Sequence, residues 1–364
     1  MKIVFFIHSI QVQRCIKRIE DFINHGFEVD VYGFDRKIDI HSVSKLYTIK
    51  IIGTFRNTDS YISRMSMMYK AIVNTKKKYK NQNVLYYYFG FDVGLLGTSF
   101  SLASKNYFFE ESDLIHTKFR FNFLNSFLEL IDKRIIQKSF ETIFTSEGFE
   151  KFHFGDNKLD NVTIIPNRVN KRILQCDKIE KQSFDINHLK FGLVGGARYR
   201  SAVVFASVVA EFFPQHEFHF FGYVTRFIDE FDKLKKFQNI YFHGVFANPD
   251  DLYKVYSQVD LVIATYDATS LNVRFAEPNK LYDSIYFETP IIVSKDTFLS
   301  SKVDKLGIGF CVNALNQKEL KSFIQKLKKK SIEEKIENIR KIPKDYALDI
   351  NEEFFTKIWR RLIK

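Results

Sequence analysis

Residues 277–294 read EPNKLYDSIYFETPIIVS. Pro278 suits the first turn of a helix, where its missing N–H would be unpaired in any case. Pro290 then introduces an apolar run, 291–294, of the kind a buried strand requires. A short helix feeding directly into a buried strand is half of an α/β repeat. Lys280 falls in the first helical turn, where a cation opposes the helix dipole at a cost of about 0.3–1 kcal/mol. A bound diphosphate reverses that conflict, because the same N-terminus and the same cation then both face an anion. Asp283, one turn further on, can accept two hydrogen bonds from a vicinal diol, as an acid does with ribose in dinucleotide sites. With Asn279 beside them, these residues can hold the phosphate and ribose of one nucleotide. The competing interpretation is an i,i+3 surface ion pair of little energetic consequence.

The sequence on either side repeats the alternation. Upstream, strand patterns at 190–194, 217–221, 240–242 and 260–265 are separated by helical patterns at 201–213, 224–234 and 249–257. In the first half, the apolar runs 2–7 and 29–34 enclose RCIKRIEDFINHG, with Ile16, Ile19, Phe22 and Ile23 at helical spacing and Gly26 placed to end the helix. Strand, helix, strand calls for a parallel sheet. Further strands are expected at 84–88, 107–109, 142–145 and 162–165, with an amphipathic helix over 121–139. The pattern weakens across 166–183, which reads as a linker. The expected organisation is therefore α/β, with two Rossmann-like doubly wound domains at 1–170 and 171–345. A terminal helix at 346–364 can pack back on the first domain. In such folds ligands bind at the carboxyl ends of the strands, here in an interdomain cleft.

The length of 364 residues suits two domains at roughly 150 residues each. With 45% hydrophobic and 27% charged residues the chain is an ordinary folded protein rather than a disordered one. Its 40 Phe and 18 Tyr are expected mostly in the core. Three cysteines, Cys15, Cys176 and Cys311, show no zinc or disulfide spacing, which fits a reducing compartment. No metal site is expected. No apolar stretch has the length of a spanning helix and the N-terminal run lacks a signal-peptide cleavage pattern, so the expected location is cytoplasmic, with a peripheral place at the inner face of the cell membrane open to it. A formal charge of +12 points to anionic partners: phosphorylated small molecules, a membrane surface or nucleic acid. No nucleic-acid motif or continuous aromatic–basic ribbon accompanies it.

Other candidates cluster at strand ends. In GLVGGARYR, Gly195 and Gly196 allow close backbone approach to a ligand, and Arg198 or Arg200 can grip a diphosphate bidentately. On the N-terminal side stand His8, Glu110, Glu111 and Asp113; Asp113 has a rival role as a helix N-cap. The basic clusters KKKYK, KFRFNF, KLKKK and WRRLIK are solvated faces by default. KFRFNF, at 118–123, has the aromatic–basic mixture of a segment that sits on anionic lipid.

PNKLYDSIYFETPIIVS resembles the donor-site segment of bacterial glycosyltransferases of family four (glycosyl transferases group 1), of the capsular and surface polysaccharide type. Asp283 falls at that family's ribose acid and Lys280 at its lysine. YFFEESDL, FTSEGFEKF and IIPNRV are similar to further segments in the same order, so the resemblance spans nearly the whole chain. It departs at Phe275, where many members carry a second glutamate that Glu277 is placed to replace, and at Glu288 and Tyr286, where small residues are usual. The resemblance implies a GT-B-like fold and a retaining transfer of a sugar from a nucleotide-diphosphate donor to a saccharide acceptor on a lipid carrier. Neither cofactor nor metal is implied. Gly195, Gly196, Arg198, Arg200, Asn279, Lys280 and Asp283 would bind the donor, and His8 would lie on the acceptor side. Glu277, with Glu110 or Asp113 as base if configuration inverts, would be catalytic. A nucleotide-sugar epimerase of the same architecture, or a non-enzymatic binder of anionic ligands or membrane, are the alternatives.

Overall fold

The computed structural model describes residues 1–10, 12–37, 44, 46–56, 58–98, 106–118 and 122–363. The chain forms two compact units: residues 1–166 with 351–364, and residues 167–350.

In the first unit seven strands form one sheet: β1 (Lys2–Ile7), β2 (Glu28–Asp35), β3 (Ile49–Thr54), β4 (Val84–Phe89), β5 (Tyr107–Glu111), β6 (Glu141–Phe144) and β7 (Val162–Ile164). Their order is β3-β2-β1-β4-β5-β6-β7, with every neighbouring pair parallel. β1 and β4 are buried along almost their whole length, as their unbroken apolar sequences require. The aromatic excess is core. Phe5 stacks on Tyr87 at 4.8 Å and Tyr87 on Phe108 at 5.5 Å, and Phe22 of helix Gln13–Asn24 meets them edge-on. The terminal helix Glu352–Ile363 belongs to this unit: Phe355 packs on Phe22 at 5.0 Å and Trp359 on Phe27 at 4.4 Å.

In the second unit six strands follow: β8 (Lys190–Val194), β9 (Glu217–Phe221), β10 (Ile240–Gly244), β11 (Leu261–Ala264), β12 (Ile291–Ser294) and β13 (Gly309–Val312). Their order is β10-β9-β8-β11-β12-β13, again parallel throughout. The stretch that reads as a linker lies in this unit. It holds a 3-10 turn at Lys171–Gln175, and Val169 bridges to Leu348.

Two strands escape the sequence pattern. β3 is an edge strand with its residues half-buried or exposed, so it has no continuous apolar run. β13 is only four residues long, and its GFCV lacks both length and alternation. The strand order reverses once in each sheet, between β1 and β4 and between β8 and β11. Such switch points open a crevice at the carboxyl ends of the strands, where doubly wound folds bind ligands.

Candidate functional site

At the switch point of the second unit β8 runs out into Gly195, whose φ of +108° only glycine adopts without strain. The neighbouring turn carries Gly222, at φ +129°, where a Cβ would lie 2.4 Å from the Gly195 carbonyl oxygen. Two glycines therefore let two chain segments cross in contact. Into this turn points Lys280: its Nζ lies 3.4 Å from where a Gly195 Cβ would sit. The ammonium donates to the Tyr266 hydroxyl at 3.3 Å, and Tyr266 follows the end of β11. The glycine turn and the PNK segment, far apart in sequence, thus meet where the sheet order reverses. Lys280 is buried, and burial lowers its pKa to about 8; Arg198 pushes the same way, while Asp283 and Tyr199 oppose it.

Helix Asn279–Tyr286 begins one residue later than expected, because Pro278 stands at the N-cap in an extended conformation. Asp283 is buried one turn inside it. The Tyr256 hydroxyl donates to Asp283 Oδ2 at 3.1 Å, and the Asn279 amide lies 3.5 Å from the same oxygen. This is not an outward-facing surface ion pair: both side chains are buried inside the unit. Glu288 adopts a left-handed φ of +51° where the resembled family has glycine. The backbone shape survives the substitution, and the carboxylate pairs with Arg340 at 2.8 Å and Lys344 at 3.2 Å.

The two arginines of GGARYR diverge. Arg200 opens helix Arg200–Phe212 and pairs with Glu230 at 3.1 Å. The first two amides of that helix, from Arg200 and Ser201, donate to the Asp267 carboxylate at 2.9 Å each. The helix start is thus already capped by an anion of the chain. Arg198 is exposed, makes no ion pair among the described residues, and lies near enough to Lys280 for its charge to be felt there. Glu277 is buried beneath this edge. Its Oε2 accepts from the Tyr282 hydroxyl at 2.6 Å and from Lys302 Nζ at 2.9 Å, which gives the carboxylate a structural role.

The switch point of the first unit carries His8, just past β1, against Gly90, just past β4. His8 Nδ1 donates to the Phe89 carbonyl at 3.2 Å, which leaves Nε2 with the lone pair. Burial, with Arg36 and Arg14 nearby, lowers its pKa to about 3, so the ring is neutral at ordinary pH. Asp113 is half-buried just before the 3-10 turn Ile115–Lys118 and close enough to His8 to oppose that shift. Glu110 corrects an expectation. It is fully buried, with Arg18 Nε 3.0 Å from Oε2, Arg14 Nε 3.2 Å from Oε1, and the Tyr87 hydroxyl donating to Oε2. Both hydrogen bonds go to Oε2 and Oε1 has only the ion pair; with no exposed surface the carboxylate is placed to neutralise buried arginines rather than to deprotonate an acceptor hydroxyl. Among the described residues Glu111, Asp132 and His153 bring possible metal-ligand atoms within 4.8 Å of one another. All three are buried, and His153 Nε2 lies 3.0 Å from Glu111 Oε2, a direct contact that fills the space between them. Residues 119–121 of KFRFNF lie outside the described residues.

Tyr256, Tyr266, Asp267 and Lys302 complete these sites and escape the sequence reading. Only Asp267 has a local signal, an acid just past a buried strand; the others are recognisable only once the sheet order is known.

Two parallel doubly wound units, each with one reversal of strand order, make up a GT-B-like fold. Within that class, residues 199–359 match the family model described as "Glucosyltransferase 3-like, C-terminal domain". No curated protein matches the sequence. Among solved structures the chain is similar to sucrose-phosphate synthase (tll1590) from Thermosynechococcus elongatus, with a TM-score of 0.68 at 14% identity, covering 100% of this chain and 99% of the other. It is equally similar to Anabaena Alr3699/HepE solved with UDP and glucose, at TM-score 0.68, 14% identity and full coverage of both chains. The lipopolysaccharide outer core galactosyltransferase WaaB follows, at TM-score 0.58, 15% identity and coverage of 100% and 99%. These likenesses are of fold.

Proposed function

We propose that the chain transfers a sugar, with retention of configuration, from a nucleoside-diphosphate donor to a lipid-linked saccharide acceptor in surface polysaccharide synthesis. The observation that carries this is Lys280 buried against the Gly195 turn with Asp283 one helical turn away. The second unit holds the donor: Asp283 takes the ribose diol, and Lys280 and Arg198 take the diphosphate. As the glycosidic bond to the diphosphate breaks, negative charge grows on the leaving phosphate, and two fixed cations stabilise it there without a metal. Asp283 is oriented for this by Tyr256. The first unit holds the acceptor near His8.

The test is a thermal-shift screen of UDP, GDP, ADP and CDP. UDP is the first candidate because HepE has been solved with it. Stabilisation follows occupancy of the folded state, so one nucleotide should raise the melting temperature of the wild type and leave Asp283→Ala unmoved. No shift with any of the four would remove the donor site.

A lipid-linked acceptor calls for contact with a membrane. Among the described residues no helix is long and apolar enough to cross one. On helix Asn122–Lys138, however, Phe123, Phe127 and Leu130 are 75%, 59% and 48% exposed at i, i+4 and i+7. An apolar stripe on a basic protein suits the surface of an anionic bilayer. Phe127→Ser/Leu130→Ser should lower partitioning onto vesicles with 30% anionic lipid at least fivefold while leaving nucleotide binding intact. Equal partitioning of the two proteins would exclude this face.

A further inference from the structure

We propose that Arg36 and Arg64 form an oxyanion subsite beside His8, which takes a phosphoryl or carboxylate group carried by the acceptor. This inference rests on the glycosyl-transfer function proposed above and adds the chemistry of the second substrate. Arg36 follows the carboxyl end of β2, and Arg64 lies in the first turn of helix Tyr61–Lys77. Both guanidinium carbons lie 5.7 Å from the centre of the Phe55 ring, just past the end of β3. Two like charges are therefore held on one aromatic ring at the carboxyl edge of the sheet, the edge where this class of fold binds ligands.

Among the described residues neither arginine makes an ion pair, and the Nε–H of each is buried without an acceptor. This contrasts with Arg18 of helix Gln13–Asn24, which has Glu110 at 3.0 Å and Asp21 at 3.7 Å. The nearest carboxylate to favour a charged Arg36 is Asp92, which accepts from the Tyr61 hydroxyl at 2.9 Å. Burial and the charge of Arg64 both depress the pKa of Arg36. A fold that keeps two guanidinium forks together, each with a donor directed away from water, matches a group with several acceptor oxygens. Phosphate and carboxylate are the oxyanions that arginine recognises bidentately. His8 stands within electrostatic reach of Arg36, with Nε2 unprotonated. A sugar hydroxyl next to the bound anion would therefore have a hydrogen-bond acceptor.

The experiment uses the full chain carrying Lys280→Met, so that the donor-side cation does not report. Inorganic phosphate and acetate are titrated separately by calorimetry against this protein and against its Arg36→Gln, Arg64→Gln and Arg64→Lys derivatives. Each glutamine variant should weaken binding of the preferred anion at least tenfold, and Arg64→Lys should restore part of it. Preference for phosphate assigns a phosphoryl acceptor and preference for acetate a carboxylate one. Anion affinity within twofold of the parent in both glutamine variants overturns the subsite. UDP binding by the wild type is measured in parallel. Its failure removes the donor site and leaves the anion result standing, so the two conclusions fail separately.

Discussion

Lys280→Met is expected to weaken binding of the donor nucleotide about 100-fold, the loss of one or two charge-assisted hydrogen bonds in a buried setting. Transfer should fall further, by about 10³ in kcat/KM, because the cation matters most when charge has built up on the leaving phosphate. The variant should nevertheless be more stable than the wild type without ligand. Lys280 has its pKa lowered from 10.5 to about 8. Between these values the unfolded chain binds more protons than the folded one, so the folded protein gains stability as pH rises from about 8 to 10.5. Below pH 8 the full penalty of about 3 kcal/mol is present, and methionine removes it. Ligand binding has the opposite pH dependence, since a diphosphate needs the charged amine. Nucleotide affinity should be flat below pH 8 and fall up to tenfold per pH unit above it, and the Met variant should lack that slope. Calorimetric titrations from pH 6.5 to 9.5 on both proteins decide this. An unchanged affinity in Lys280→Met, or a slope above pH 8 that the variant keeps, would show that the amine does not touch the ligand.

Lys280 also marks the boundary between what the sequence conveys and what it does not. The alternation of apolar runs and helical patterns suffices for two parallel sheets, because strands covered on both faces leave uninterrupted hydrophobic stretches such as VLYYYF at 84–89. PNKLYD stood out as a candidate because a cation in a first helical turn is a local conflict that needs no tertiary knowledge. By contrast, the partition between Arg198 and Arg200 depends on Asp267 and Glu230, which reach the same turn from other elements. Glu277 and Glu110 were misleading for a similar reason. Their neutralising partners Lys302, Arg14 and Arg18 lie on other elements, so local sequence displays the acid without its counter-charge. The aromatic excess was rightly assigned to packing, yet Tyr256, Tyr266 and Tyr282 each lend a hydroxyl to a buried charged group. A phenol in a core reads as a hydrophobe until its partner is known.

Glu110 supplies the second large effect, and it separates a structural acid from a catalytic one. Its carboxylate is enclosed by Arg14, Arg18 and Tyr87, and Arg18 also approaches Asp21 at 3.7 Å. Glu110→Ala leaves two largely buried guanidiniums sharing what remains. Removing one partner of a buried ion pair costs about 3–5 kcal/mol, chiefly because the other charge stays buried and uncompensated. For a unit of this size the melting temperature should fall by on the order of 10 °C. Replacing Arg18 and Glu110 together by methionine should recover much of the loss, since well-packed apolar residues can substitute for a buried pair at little net cost. Nucleotide binding, proposed for the second unit, should persist in Glu110→Ala below its melting temperature. A general base would behave otherwise: Glu110→Gln would fold with wild-type stability, bind nucleotide normally and lose transfer. Thermal denaturation and transfer rates measured on the same Ala and Gln preparations therefore assign the residue, because the ion-pair role predicts loss of stability in both and the base role predicts it in neither.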